Sequence, residues 1–334
     1  MNYGSFLHVA GQRRLLVGAI FVAVLFAVRA ATSQFHSLGL PNKLQDLLTL
    51  STSVIIEALP FVLLGILLSI AVQVWLPNRF IVNRLPQWPP LRRVCISFLG
   101  VFMPVCECGN VPLARGLVVQ GFTVSESLVF LLAAPILNPV TIITTHQAFG
   151  SDNTILVARI LGGFMIANLI GWIYSKHRDP ESLLTDSFAA ECRKPDGHSH
   201  ASKPNKSLDI FIRESNVMLP ALFIGALIAG FIQIAVPRDV LMVLGSNPVW
   251  SILAMMVLAF IIAICSNIDA FFALAFSNTF TTGSLVSFLV FGPVIDIKML
   301  ALMRTTYKAR VLLQITLIVA LLSAALGLVV NYAF

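Results

Sequence analysis

From Ser51 to Leu76 the chain carries one ionisable side chain, Glu57, and is otherwise almost wholly apolar. A helix needs ~20 such residues to cross a bilayer, and a run this continuous lacks the period-two alternation of a barrel strand. Comparable runs cover residues 153–175, 216–236 and 311–331. Composition agrees: 57% of the 334 residues are hydrophobic and 11% are charged, where soluble domains hold about 25% charged residues. The expected fold class is an all-α polytopic membrane protein. Residues 15–28, after Arg13 and Arg14, add either an uncleaved extra N-terminal helix, which we adopt, or a signal peptide cleaved near Ala30.

The formal charge is +7, yet the basic residues lie between the apolar runs and form no nucleic-acid-binding face. Arg79, Arg84, Arg92 and Arg93 follow the span ending at Leu76. Lys298, Arg304, Lys308 and Arg310 precede the last span, and segment 176–213 holds Lys176, Arg178, Arg193, Lys194, Lys203, Lys206 and Arg213. Segments 32–50, 138–152 and 237–248 offer only Lys43 and Arg238. The positive-inside rule makes the basic group cytoplasmic and leaves the C-terminus outside. Two regions, 94–137 and 249–295, are cut by Pro, Gly, Asn and acidic residues into pieces of roughly 10–14 residues, as in re-entrant or broken helices.

The two halves resemble each other. EALPFVLLGILLSIAVQVWLP and VMLPALFIGALIAGFIQIAVP share Pro60/Pro220, Gly65/Gly225, Gln73/Gln233 and Pro77/Pro237. FLLAAPILNP aligns with FLVFGPVIDI through Pro135/Pro293 and Asn138/Asp296, after which Arg159 and Arg310 each open a closing helix. The loop after Pro77 is basic and the one after Pro237 is not, so equivalent elements point in opposite directions. Two inverted-topology repeats of this kind place broken helices around a central substrate site. The expected division is residues 1–48 for the extra helix and an external loop, 49–175 for the first repeat, 176–213 for a flexible cytoplasmic linker and 214–334 for the second repeat.

The same alignment sets VCECGNVP against ICSNIDAF, pairing Cys106 with Cys265 and Asn110 with Asp269. Ionisable groups at membrane depth cost several kcal/mol unless they are paired or line a cavity, which makes them functional candidates. The expected site comprises Cys106, Glu107, Cys108, Asn110, Asn138, Cys265, Asn267, Asp269 and Asp296. Glu107, Asp269 and Asp296 are the candidates for carrying protons in a coupled cycle. The break between Pro104 and Pro112 would direct both thiols of Cys106 and Cys108 toward one cavity, with Asn110 capping a half-helix that opens at Pro112. Soft thiols select thiophilic ions over Na⁺ or Mg²⁺. Arg115 neutralises a site carboxylate or, the preferred reading, serves as a structural counter-ion. Glu57 and Glu126 are placed at helix ends outside the site, and Cys95 is an apolar filler. In the linker, Cys192 with His198 and His200 makes a weak metal-ligand set. Five cysteines in no regular pattern predict no disulfide framework, and no cofactor is expected.

PVCECGNVPLARGL, FLLAAPILNPVT, CSNIDAFFALAFS and FLVFGPVIDIKM resemble the predicted permeases that include ArsP-type arsenical exporters and YraQ-like proteins, across residues 50–332. The resemblance implies a multi-pass permease of the bacterial inner membrane, with Cys106, Cys108 and Asn138 matching the family's motifs. Some relatives export trivalent arsenic, and with the two breaks as an alternating-access site the leading reading is an exporter of a small inorganic or organometallic solute. Glu107 stands where many relatives have a small residue. A partner membrane subunit or a homodimer is a further implication. The alternatives are a subunit of a two-component complex or a membrane thiol oxidoreductase. Against the latter, Cys-x-Cys is not the usual redox spacing. No ATP-binding motif is present, so an ion gradient is the simpler drive.

Overall fold

The computed structural model describes residues 42–76, 84–102, 105–150, 153–193, 203–235 and 248–333. The expected N-terminal helix at 15–28 lies outside them. The described residues form helices joined by turns and short breaks, and the one extended pairing among them is an isolated bridge between Leu184 and Tyr307.

The first half comprises α1 (Asn42–Ile70), extended by a wider π-type turn over Ala71–Trp75, then α2 (Pro89–Ser97) and α3 (Leu99–Phe102). It continues through α4 (Glu107–Val119), α5 (Val124–Leu137), α6 (Pro139–Phe149) and α7 (Asn153–Ser175). A short α8 (Asp186–Cys192) connects the halves. The second half holds α9 (Lys203–Ala235), α10 (Pro248–Ile262), α11 (Asp269–Leu274), α12 (Thr282–Phe291), α13 (Ile297–Met303) and α14 (Ala309–Ala333).

Among the described residues, five helical stretches are long and apolar enough to cross a membrane: Lys43–Trp75, Val124–Phe149, Asn153–Ser175, Lys203–Ala235 and Ala309–Ala333. Four match the expected spans. The fifth, α5 running into α6, corrects the reading of its first part as a piece too short to cross. Asn138 leaves the helical conformation for one residue (φ −61°, ψ 130°), and its side chain accepts the Val140 N–H at 2.9 Å. Pro139 at the first position of α6 needs no donor, so the helix resumes at once.

Burial sorts the helices into an inner and an outer set. Every residue of α5 is buried, as is α12 from Gly283 to Phe291. Helices apolar on all sides belong in such a core. Around them, α1, α7, α9 and α14 turn Leu64, Leu67, Met165, Phe231, Leu317 and Leu321 outward, an apolar exterior that suits lipid. α1 packs on both α9 and α4. At the α1–α4 crossing a β-carbon on Gly65 would overlap the Gly109 carbonyl oxygen, so the two backbones touch and only glycine fits. That contact holds the segment that follows Cys108.

The segment expected as a linker carries ordered structure of its own. Pro180–Leu183 forms a 3₁₀ turn leading to α8, with Leu183, Leu184 and Phe188 buried. Thr185 N–H donates to the Thr306 carbonyl at 2.9 Å, and Lys308 N–H to that of Leu183 at 3.0 Å. α9 then begins at Lys203, well before the expected span. Backbone bonds tie this segment to the second half and Phe188 lies beneath Arg115 of the first, contacts that its polar composition conceals.

Candidate functional site

Two breaks in the chain bring the thiols together. Cys106 is extended (φ −69°, ψ 170°) and Glu107 opens α4. The half-helix therefore starts five residues before Pro112, and the expected Asn110 cap is replaced by Cys106 at the cap position. Pro112 lies inside α4, where its missing N–H leaves the Cys108 carbonyl without its helical donor. In the second half α10 ends at Ile262, Ala263 after it is a non-glycine residue held at φ 53°, and the chain turns through Cys265 and Ser266 into α11.

Glu107 sits where the breaks meet and is fully buried. Its Oε2 accepts from the Ser266 hydroxyl at 3.0 Å, the Ser266 backbone N–H at 3.4 Å and the Cys265 thiol at 3.6 Å. Its Oε1 lies 3.0 Å from Lys298 Nζ, which is also 3.7 Å from Asp296 Oδ2. The thiols of Cys108 and Cys265 neighbour that of Cys106. Ligand atoms of Cys106, Glu107 and Cys265 all lie within 4.8 Å of one another. A tetrahedral ion with metal–sulfur bonds of about 2.3 Å holds two thiolates about 3.8 Å apart, so a soft ion suits this trio. All five cysteines are free.

The polar groups around the cluster are unevenly satisfied. Asn138 and Asp296, paired by the repeat alignment, do the same work: each caps the helix that follows, Asp296 accepting from the Met299 N–H at 2.6 Å. The Asn138 amide also donates to the Val105 carbonyl at 3.1 Å, tying α6 to the break before α4. Asn110, one turn beyond Cys106, is fully buried with neither amide atom hydrogen-bonded, and Asn267 Oδ1 has no partner. Unsatisfied buried amides in a native fold call for an explanation such as a ligand or water position.

Asp269 is committed elsewhere. Arg159 grips it with two bonds, Nη1–Oδ1 at 3.0 Å and Nη2–Oδ2 at 2.6 Å, and also reaches Thr145 Oγ1 at 2.8 Å. This buried pair ties α7 to α11. Its repeat counterpart Arg310 is exposed and has no such role. Arg115 is a structural counter-ion: its Nε meets Glu214 at 2.9 Å, its Nη2 meets Glu191 at 3.2 Å, and its guanidinium stacks 4.0 Å above the Phe188 ring. Glu126 pairs with Arg92 at 2.6 Å and shares a reciprocal cap with Thr123. Glu57 is half-buried and feels the charges of both Lys298 and Glu107, closer to the site than a helix-end position implies.

Four groups escaped the sequence reading: Lys298, Ser266, Arg159 as a partner of Asp269, and Glu57 as a neighbour of the cluster. By sequence Lys298 reads as a topology signal. Its position inside the run VIDIKMLALM, well before the basic residues at 304–310, is the clue to a different role. Of the linker set, Cys192 is half-buried on α8, while His198 and His200 lie outside the described residues. Burial and the charge of Glu191 push the Cys192 thiol up to about 11, which disfavours the thiolate that binds metal.

The fold and site define a multi-pass helical membrane protein with a buried cluster of thiols, carboxylates and one ammonium at two chain breaks. The chain belongs to the family described as "Predicted permease" (ArsP_1), which matches residues 43–332. It is similar to the UPF0718 protein YcgR of Bacillus subtilis strain 168, at 37% identity over 81% of this chain and 92% of that protein. It is also similar to the "Putative two-component membrane permease complex subunit" of Streptococcus mutans, at 34% identity over 82% of this chain and 91% of that protein. No solved structure matches.

Proposed function

We propose that this permease moves a small thiophilic cation or metalloid across the bacterial inner membrane by alternating access, with Cys106, Glu107 and Cys265 as its primary ligands. The observation that carries the proposal is the meeting of those three donors, contributed by different halves, inside 4.8 Å and away from solvent. A hard ion such as Na⁺ would draw carbonyl and carboxylate oxygens, whereas two thiols select a soft one. The buried cluster holds Glu107 and Asp296 against Lys298. With both acids ionised this leaves one formal negative charge, a condition that favours a positively charged cargo.

In this reading the halves are inverted repeats, the breaks alternate as inner and outer gates, and segment 176–213 faces the cytoplasm. Transport, not catalysis, is the activity. Asn110, Asn138, Asn267 and Cys108 complete the substrate shell. Of the carboxylates expected to carry protons, Asp296 and Glu107 fit that role better than Asp269, which Arg159 holds on both oxygens. The relative from Streptococcus mutans, by its name, favours a second reading in which this chain works as one subunit of a two-component complex.

The test is uptake of arsenite, methylarsenite, Zn²⁺ and Cd²⁺ by inverted membrane vesicles, comparing wild type with Cys106→Ser and Cys265→Ser. Accumulation of one solute, lost in both variants, is the expected result. Equal accumulation in all three vesicle preparations would remove the thiol site. Accumulation only when a neighbouring membrane protein is co-expressed would favour the two-component reading.

A further inference from the structure

Lys298 occupies the position that a cationic cargo would have to share. Its side chain is 3% exposed, and its Nζ lies 3.0 Å from the same carboxylate that offers its other oxygen to Cys265 and Ser266. A second carboxylate waits beside it. Asp296 Oδ2 is 3.7 Å from Nζ and accepts no hydrogen bond, while Oδ1 is occupied by the Met299 N–H. Asp296 is not among the three clustered ligands.

We propose that Lys298 is a tethered competitor for the cargo site, alternating between Glu107 in the empty protein and Asp296 in the loaded one. This rests on the thiophilic-permease reading above. An empty site without Lys298 would leave Glu107 buried and uncompensated, which is costly. Lys298 removes that cost when the cargo leaves, so the empty protein can change conformation without a bound ion. A divalent ion taken up by Cys106 and Cys265 as thiolates releases two protons, one from each sulfur. The formal charge of the cluster is then unchanged, and Lys298 stays an ammonium throughout. The lysine needs only to swing its flexible end from one carboxylate to its neighbour. Glu57 and Asp269 also feel the charge of Glu107, and Glu57 that of Lys298.

A tethered competitor makes an unusual demand: removing a buried charge must tighten binding. The experiment titrates purified detergent-solubilised protein with Cd²⁺ and follows the thiolate-to-cadmium charge-transfer absorbance. Wild type should show a band that Cys106→Ser lacks. Lys298→Met should bind Cd²⁺ at least tenfold more tightly and turn over more slowly in vesicles. Asp296→Asn, in which an amide oxygen keeps the cap on Met299, should bind about tenfold more weakly because the ammonium loses its alternative partner. Unchanged or weaker binding in a folded Lys298→Met would overturn the proposal. Where that variant does not fold, Asp296→Asn decides alone, and wild-type affinity in it would overturn the proposal equally. Absence of a Cys106-dependent band in wild type would instead defeat the underlying site, and this inference with it.

Discussion

Replacing Arg159 with Met tests whether the α7–α11 junction is held by charge. The guanidinium donates two bonds to Asp269 and one to Thr145, and its side chain is 1% exposed against 3% for that of Asp269. Truncating one partner of such a pair leaves a charge in a low-dielectric interior, a loss of about 3–5 kcal/mol. Asp269→Leu alone should cost a similar amount by stranding the arginine. The double variant removes both charges and restores apolar packing, so its cost should approach zero. Unfolding of purified protein by SDS, followed by circular dichroism, gives the four corners of the cycle. Additivity within about 0.5 kcal/mol, the usual limit for independent sites, would refute the pairing.

Three further outcomes follow from local geometry. Gly65→Ala forces a methyl group onto the Gly109 carbonyl and should destabilise the protein by at least about 1–3 kcal/mol in the same SDS assay; an unchanged midpoint would contradict the α1–α4 contact. Ala263→Gly relieves a left-handed conformation that costs a side-chain-bearing residue about 1–2 kcal/mol. Part of that gain is offset by the freer unfolded chain, so a net stabilisation of a few tenths to 1 kcal/mol is expected, and destabilisation would argue against the strain. Cys192, with its thiol near 11, holds about one thiolate in a thousand at pH 8, so alkylation should run about two hundredfold slower than for an ordinary thiol near 8.5. Its rate should climb with pH up to about 11, and labelling at the ordinary rate would show that the thiol is not buried beside Glu191.

What could be read from the chain was local. Four spans, the breaks around Cys106 and Cys265, and the paired positions Asn138 and Asp296 follow from apolar run length and from residues that interrupt helices. These are short-range properties, and Asn138 and Asp296 each cap the helix that follows them. Misreadings arose where a local signal had more than one three-dimensional outcome. Pro112 reads as the start of a helix but lies inside one, because the true start is set by the extended conformation at Cys106. Asn138 and Pro139 read as the end of a helix, yet the cap and the missing donor let the chain cross directly into α6.

The sequence by itself determined that this chain lives in a membrane, and that it collects thiols and carboxylates at helix breaks. Both follow from the cost of placing polar groups and free backbone in hydrocarbon. Only the tertiary structure decided which charge answers which: Lys298 to Glu107, Arg159 to Asp269, Arg115 to Glu214. Each of these pairs joins residues about a hundred or more positions apart, where no spacing rule reaches. A positive-inside count treats every lysine near a loop alike, and burial distinguishes Lys298 from the loop cations. Electrostatic partners are chosen by distance in space, which the fold sets after the local rules have placed the helices.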